Sequence, residues 1–303
     1  MFRYCNCFFV VFLLICPVFA QPDLLQKVGN TIVDTGSKFY RFEKFELDSD
    51  DGKRYYRIIV AIPKTETQEK TGYSVIYMLD GNAVMAALND ELFSHLKMPL
   101  PVIVALGYQT ELRFDVVSRA FDYTPALLDD SKPIDERGRT GGGADLFAKF
   151  IESKIKPKVE SLVQINKQHQ IIWGHSYGGL FVLNTLFRHP EMFQNYIAVE
   201  PSFWWENGAI LKIEQRFAEQ IVEQGVEMKE RNLAVFVGRS IPLPQLPTEH
   251  SASIRRSVPP NTAKDFVKRL EPLLKTVTFQ AFEGLNHGAM LPASLEPALK
   301  LYQ

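Results

Sequence analysis

The chain has 303 residues, and 34 Lys+Arg against 35 Asp+Glu leave a formal net charge of −1 at pH 7. That balance gives no electrostatic case for a nucleic-acid partner. A hydrophobic fraction of 46% with 12% aromatic residues excludes disorder, collagen and a coiled coil, and supplies enough apolar surface for a substantial core.

Residues 1–20 read as an export signal. Arg3 forms a thin positive n-region, Phe8 to Ile15 is an apolar run too short to span a bilayer, and Val18-Phe19-Ala20 offers small residues at a cleavage site before Gln21. The alternative is an uncleaved N-terminal anchor. Cys5, Cys7 and Cys16 all lie in this segment, so the mature chain, residues 21–303, has no disulfide, no thiolate nucleophile and no Cys-ligated metal. Ile15 is not the small residue that a lipoprotein reading of Cys16 needs. The expectation is a single exported domain without a stable membrane anchor, in the periplasm of a Gram-negative bacterium.

Tyr40 to Leu47 and Tyr55 to Ile62 alternate apolar and polar residues, which predicts an antiparallel pair at a sheet edge. The texture then changes. Ser74 to Leu79, Val102 to Leu106, Gln170 to Trp173, Tyr196 to Val199 and Leu233 to Val237 are short continuous apolar runs, the pattern of parallel strands buried on both faces. Helix-length segments separate them at Asp145 to Leu162, Gly179 to Arg188, Ile210 to Gln224 and Ala263 to Leu274, and Thr276 to Phe282 adds a last strand. Phe147, Phe150, Ile151, Ile155 and Val159 form a one-sided apolar stripe. Such alternation implies βαβ crossovers and an α/β fold with a mostly parallel, doubly wound sheet covered by helices on both faces. Two long excursions, Arg119 to Gly143 and the Pro-rich Arg239 to Pro260, interrupt the pattern as loops.

Gly174-His175-Ser176-Tyr177-Gly178 sits between a predicted strand and a predicted helix. A nucleophile elbow needs this: a sharp turn that strains the serine backbone, tiny residues two positions to either side, and a hydroxyl exposed at a helix N-terminus. The serine also needs a base. Of the six histidines, His287 follows the last strand, where the nucleophile–acid–base chain order places it; His250 is the alternative. The acid is expected after Leu233 to Val237, yet that strand runs into Gly238-Arg239-Ser240 with no carboxylate. Either a Ser–His dyad operates or a displaced acid such as Glu249 serves, Asp265 falling in a helix pattern. For the oxyanion, the backbone N–H of Tyr177 is one candidate donor; the turn Asp80-Gly81-Asn82 offers the other, from Asn82 or Gly81. No metal or cofactor is called for.

Together the Leu79-Asp80-Gly81-Asn82 turn, Asp122-Tyr123-Thr124-Pro125, Gly141-Gly142-Gly143-Ala144-Asp145, the elbow with Gly179, and Pro201-Ser202-Phe203-Trp204-Trp205 resemble the putative-esterase family of α/β-hydrolases. Within it the chain is most similar to periplasmic siderophore esterases that open the trilactone of enterobactin and salmochelin. The resemblance implies an α/β-hydrolase fold and a Ser–His mechanism carried by Ser176 and His287. Trp204 and Trp205 then fall at the carboxyl edge of the sheet, where ligands bind; one is expected to line a pocket and the other to pack as core. Arg119, Arg137 and Arg139 are candidates to meet an anionic ligand, and a ferric catecholate siderophore is anionic. The leading expectation is a siderophore ester hydrolase. A general carboxylesterase on acetyl, feruloyl or acyl-sugar esters, an acyltransferase, and a non-catalytic binding protein on the same fold are the alternatives.

Overall fold

Alternate residues of the central strands feed two separate cores, and this is what makes the middle layer a sheet buried on both faces. Along β3 (Tyr73–Leu79), Val75, Tyr77 and Leu79 pack into one core while Ile76 and Met78 pack into the other. The same alternation runs through β4 (Val102–Tyr108), β6 (Asn195–Val199) and β7 (Asn232–Arg239). The structure, a computed structural model, describes residues 25–65, 71–129, 131, 133–135, 137–224, 228–239 and 258–301. The expected signal segment, Glu249 and His250 lie outside the described residues.

With β1 (Tyr40–Asp48), β2 (Tyr55–Pro63), β5 (Ile165–His175) and β8 (Thr276–Glu283), the sheet has eight strands in the order β1-β2-β4-β3-β5-β6-β7-β8. The pairings β1–β2 and β2–β4 are antiparallel and all the rest are parallel. The predicted edge pair and the doubly wound α/β-hydrolase sheet are both observed. The helices, in chain order, are α1 (Ile32–Thr35), α2 (Gly81–Ala87), α3 (Asp90–Ser94), α4 (Ser118–Tyr123), α5 (Ala144–Phe150), α6 (Lys156–Leu162), α7 (Tyr177–Arg188), α8 (Ala209–Gln224), α9 (Thr262–Leu270), α10 (Met290–Ala293) and α11 (Leu295–Leu301). A π-helical turn, Ile151–Ile155, joins α5 to α6, so the predicted helix over 145–162 is continuous but locally widened.

α7 is the axis of the fold. Residues Tyr177 to Phe187 are all buried, which matches a segment that is apolar all round. Glycine makes this packing close: a Cβ at Gly179 would meet the Val199 carbonyl oxygen at 2.9 Å and Pro201 Cα at 3.0 Å, and one at Gly174 would run into the Gly178 carbonyl. The excursion predicted as loop from Arg119 contains α4. Its tail folds back, with Gly142 N–H donating to Thr124 Oγ1 at 3.0 Å and Gly143 N–H to the Phe121 carbonyl at 2.9 Å.

Candidate active site

Three consecutive parallel strands end in residues with positive φ other than glycine: Asp80 after β3 (φ 55°), Ser176 after β5 (φ 63°) and Glu200 after β6 (φ 47°). L-residues adopt this region at a cost, and such strain clusters at functional turns. At Ser176 (ψ −117°) it turns the chain from β5 into α7 and stands the hydroxyl at the sheet edge. His287, on the turn after β8, meets it there: His287 Nε2 lies 3.0 Å from Ser176 Oγ. Ser202 Oγ is 3.4 Å away on another side.

A carboxylate meets the other ring nitrogen of His287, and it stands at a position the sequence reading did not single out. Glu200 Oε2 lies 3.0 Å from His287 Nδ1. A carboxylate there makes Nδ1 the protonated nitrogen and leaves Nε2 to accept the Ser176 proton. The other Glu200 oxygen accepts the Gly238 N–H at 2.5 Å, and Glu200 N–H donates to the Phe236 carbonyl at 2.8 Å. The end of β7, where the acid was expected, therefore supplies a backbone donor that holds an acid carried by β6. Its local mark is a carboxylate directly after a continuous apolar strand and before Pro201-Ser202, which a solvated strand-end residue would share.

His175 points away from the serine, as its place beside it requires. It is 5% exposed, its Nε2 lies 2.8 Å from the His287 carbonyl oxygen, and the two imidazoles touch at a tilt of 44° with centroids 4.7 Å apart. Since a carbonyl can only accept, Nε2 carries the proton. Burial, with the neighbouring His287 next, holds the His175 pKa well below 6.5, so the ring is neutral. The histidines His95 and His189 pair elsewhere, with Glu296 and Asp145.

On the oxyanion side the turn after β3 is locked by a buried ion pair. Asp80 is left-handed (ψ 45°) and accepts from Arg119 through both oxygens, at 2.9 Å from Nε and 2.8 Å from Nη2; its N–H donates to Tyr123 Oη at 3.1 Å. The Asn82 side chain braces the far side, its Nδ2 donating to the carbonyls of Tyr108, Thr110 and Leu112 and its Oδ1 accepting from Tyr108 N–H, each at 3.1 Å. Its side chain is thus committed, and its backbone N–H is what faces the question of oxyanion binding. The amides of Ala83 and Val84 donate to the Asp80 carbonyl, which leaves those of Gly81 and Asn82 as the open donors of the first turn of α2. A Cβ at Gly81 would meet Ala105 C and Gly107 N at 2.7 Å, so only glycine lets the turn press this close to β4. A Cβ at Gly178 would lie 3.4 Å from Leu79 and 3.8 Å from Asp80 Oδ2, which brings the turn against the elbow and near the Tyr177 amide.

The two tryptophans divide as expected. Trp205 is 2% exposed and belongs to the core. Trp204 is half-buried, lies tilted against Tyr177 with ring centroids 6.0 Å apart and lines a hollow of about 720 Å³ together with Glu200, Phe203, Arg239 and Lys264. The arginines do not meet expectation as free cations. Arg119 is taken up by Asp80 and lies over the ring of Tyr177 at 5.5 Å. Arg139 is paired with Asp135 at 2.6 Å and also donates to the Val116 carbonyl at 3.2 Å. Arg137 is exposed. Asp265 lies in α9, away from His287 in the pairing just described. Among the described residues no group of three or more His, Cys, Asp or Glu side chains is arranged to hold a metal, and no helix is long and apolar enough to cross a membrane.

A nucleophile, an imidazole and an orienting carboxylate in one hydrogen-bonded line, next to backbone amides at a helix N-terminus, can carry out acyl transfer. Comparison with known proteins agrees with that chemistry. Residues 49–238 match the family described as "Putative esterase". The chain is 38% identical over 294 residues to the apo-salmochelin esterase of Escherichia coli O6:H1, covering 94% of this chain and 87% of that protein. It is 32% identical to the ferri-bacillibactin esterase BesA of Bacillus subtilis, covering 84% and 86%. Among solved structures, the enterobactin and salmochelin hydrolase IroE superposes with a TM-score of 0.67 at 37% identity, covering 88% of this chain and 97% of that one; it has also been solved in complex with DFP, a reagent for activated serines. This chain belongs to the putative esterase family of α/β-hydrolases and is a serine ester hydrolase.

Proposed function

We propose that the chain is an exported enzyme that hydrolyses the ester bonds of a catecholate-type siderophore, with Ser176 as nucleophile, His287 as general base and acid, and Glu200 as the residue that orients His287. The observation that carries the reading is the line Ser176 Oγ–His287–Glu200, with 3.0 Å at each step. Its substrate class rests on the names of the relatives: salmochelin, bacillibactin and enterobactin esterases or hydrolases.

In this mechanism Ser176 Oγ attacks the ester carbonyl as its proton passes to His287 Nε2. The resulting oxyanion is met by the backbone N–H groups of Tyr177 and Asn82, with Gly81 allowing the close approach. Collapse expels the alkoxide, which takes the proton from His287 and leaves as the hydroxyl end of the opened lactone. Water then attacks the acyl-enzyme with His287 again as base, releasing the acid and the free serine. Trp204 offers an aromatic face to the aromatic arms of the substrate. With Arg119 and Arg139 engaged inside the protein, recognition of an anionic ferric complex falls to other cations such as Lys264 at the hollow beside Glu200.

The test is a substrate panel read by mass spectrometry: iron-free and ferric trilactone, linear catecholate esters, and small aryl and feruloyl esters, each with wild type and Ser176→Ala. Faster cleavage of the trilactone than of small aryl esters, reduced to near background in Ser176→Ala, supports the reading; preference for the small esters in wild type replaces it with a general carboxylesterase. N-terminal sequencing of protein from a periplasmic fraction checks export, with Gln21 as the expected first residue.

A further inference from the structure

We infer that His175, through its hydrogen bond to the main chain of His287, is a positioning residue that sets the distance and aim of the base toward Ser176. The inference rests on the assignment of Ser176 and His287 above and deepens it.

The turn that carries His287 leaves β8, the outer strand of the sheet, whereas Ser176 ends β5, three strands away in the order β5-β6-β7-β8. At roughly 4.8 Å per strand the turn must reach back about 14 Å across the sheet edge, with no ladder hydrogen bond to β5 to guide it. Three contacts bring it in. Glu200 holds the ring at Nδ1. Gly238 admits the Leu285 carbonyl, which a Cβ there would meet at 2.6 Å. His175 holds the His287 carbonyl itself.

The third contact differs in kind from the other two. Glu200 and Ser176 fix the ring, yet a ring can keep both bonds only if its own Cα stays in place. His175 and Ser176 are consecutive residues of one rigid strand end, so β5 grips the base at two points at once, its carbonyl and its Nε2. The tilted ring contact, with centroids 4.7 Å apart, adds a steric stop beside the His287 ring. Burial keeps the His175 ring neutral, and the charges of His287 and Arg119 act in the same direction against the opposing pull of the hydrogen bond to the His287 carbonyl. A neutral ring suits the task, since it donates one proton without adding charge beside the imidazolium that His287 becomes during attack. Displacement of reacting groups by about an ångström costs roughly 10²-fold in rate, which sets the scale of the effect.

Two substitutions separate the hydrogen bond from mere filling of space. His175→Phe keeps a flat ring and loses the donor; His175→Gln loses the ring and keeps an N–H at about the reach of imidazole Nε2. For His175→Phe, kcat should fall roughly 10–100-fold with KM within about twofold of wild type, and the rate of DFP inactivation should fall in parallel, while His175→Gln should recover most of that loss. The downfield proton resonance of His287 Nδ1–H should broaden or vanish in the Phe variant and persist in the Gln variant. Should the Phe variant not fold, His175→Asn, with an amide too short to reach the carbonyl, takes its place in the comparison with Gln. Wild-type kcat in the Phe or Asn variant, or a Gln variant as slow as they are, overturns the inference. Ser176→Ala assayed alongside separates the two levels: activity retained there defeats the site assignment itself, whereas loss there with a wild-type His175→Phe defeats the positioning role alone.

Discussion

The ends of β6 and β7 lie side by side at the same edge of the sheet, hydrogen-bonded through Val199 and Phe236, but they contribute differently to the site. β6 ends in a strained turn, Glu200 at φ 47° before Pro201, whose carboxylate orients His287. β7 continues as far as Arg239, and its Gly238 N–H steadies that carboxylate while Arg239 pairs with Glu283 at 3.1 Å. One strand end presents the acid and its neighbour supports it. An orienting acid is thus fixed by its reach to the base at the edge of the sheet, and two adjacent strands can each meet that requirement.

The sharpest way to break this comparison is to remove the carboxylate from β6. Glu200→Gln keeps the shape but offers an amide in place of one charge, so kcat should fall roughly 10²–10⁴-fold, whereas Glu249→Gln should stay within about threefold. Steady-state kinetics on one ester decide it. Equal, deep losses at both positions would mean that the acid is shared with the loop after β7.

The next effect concerns stability on the oxyanion side, where a buried pair stands in place of a strand-end acid. Arg119→Met would leave Asp80, 2% exposed, without its counter-ion. Losing one member of a buried pair costs roughly 3–5 kcal/mol, or about 5–8 °C in Tm for a chain of this size. A calorimetric shift below about 2 °C would show that water suffices for the Asp80 carboxylate.

Trp204 and Trp205 extend the comparison to the turn after β6. Trp205→Ala empties a core site and should destabilise by roughly 3–5 kcal/mol, with kcat/KM per folded molecule little changed. Trp204→Ala should cost about 1 kcal/mol in stability while lowering kcat/KM for an aromatic trilactone more than for p-nitrophenyl acetate. Chemical denaturation and the two assays separate them, and matching profiles for the two variants would remove Trp204 from the pocket.

The smallest effect is one of pH. His175 titrates in the folded state well below 6.5, because of burial and then of His287. As pH falls below 6.5 the unfolded chain takes up a proton that the folded chain does not, so stability falls with falling pH over that window. Thermal unfolding of His175→Phe should start lower at neutral pH and decline less steeply from pH 6.5 toward acid than wild type does. Parallel curves would mean that His175 is protonated inside the fold.

The long continuous strands were readable because burial on both faces leaves an unbroken apolar run, and the elbow because Gly174, Gly178 and Gly179 stand where backbone approaches backbone. The division of labour between Trp204 and Trp205 was also legible, since adjacent residues cannot face the same way. Glu200 was overlooked for a local reason: a carboxylate at the end of β6 looks like any solvated strand-end residue until the order of strands is known. Arg119 differs in the opposite direction, since a cation near a site in sequence gives no sign of a carboxylate 39 positions away that has already taken it, whereas the partner of Arg139, Asp135, stands only four residues earlier.

By itself, then, the sequence determined the layered α/β-hydrolase sheet, the sharp turn at Ser176 and the place of His287 after the last strand, because these depend on periodicity and on glycine at fixed offsets, both local properties of the chain. Only the tertiary structure decided which carboxylate meets His287, that Asp80 takes up Arg119, and that His175 holds the main chain of His287. Each of those depends on contacts between residues 39 to 112 positions apart, between groups that meet only when the strands stand side by side, and nothing in the local chain records such a meeting.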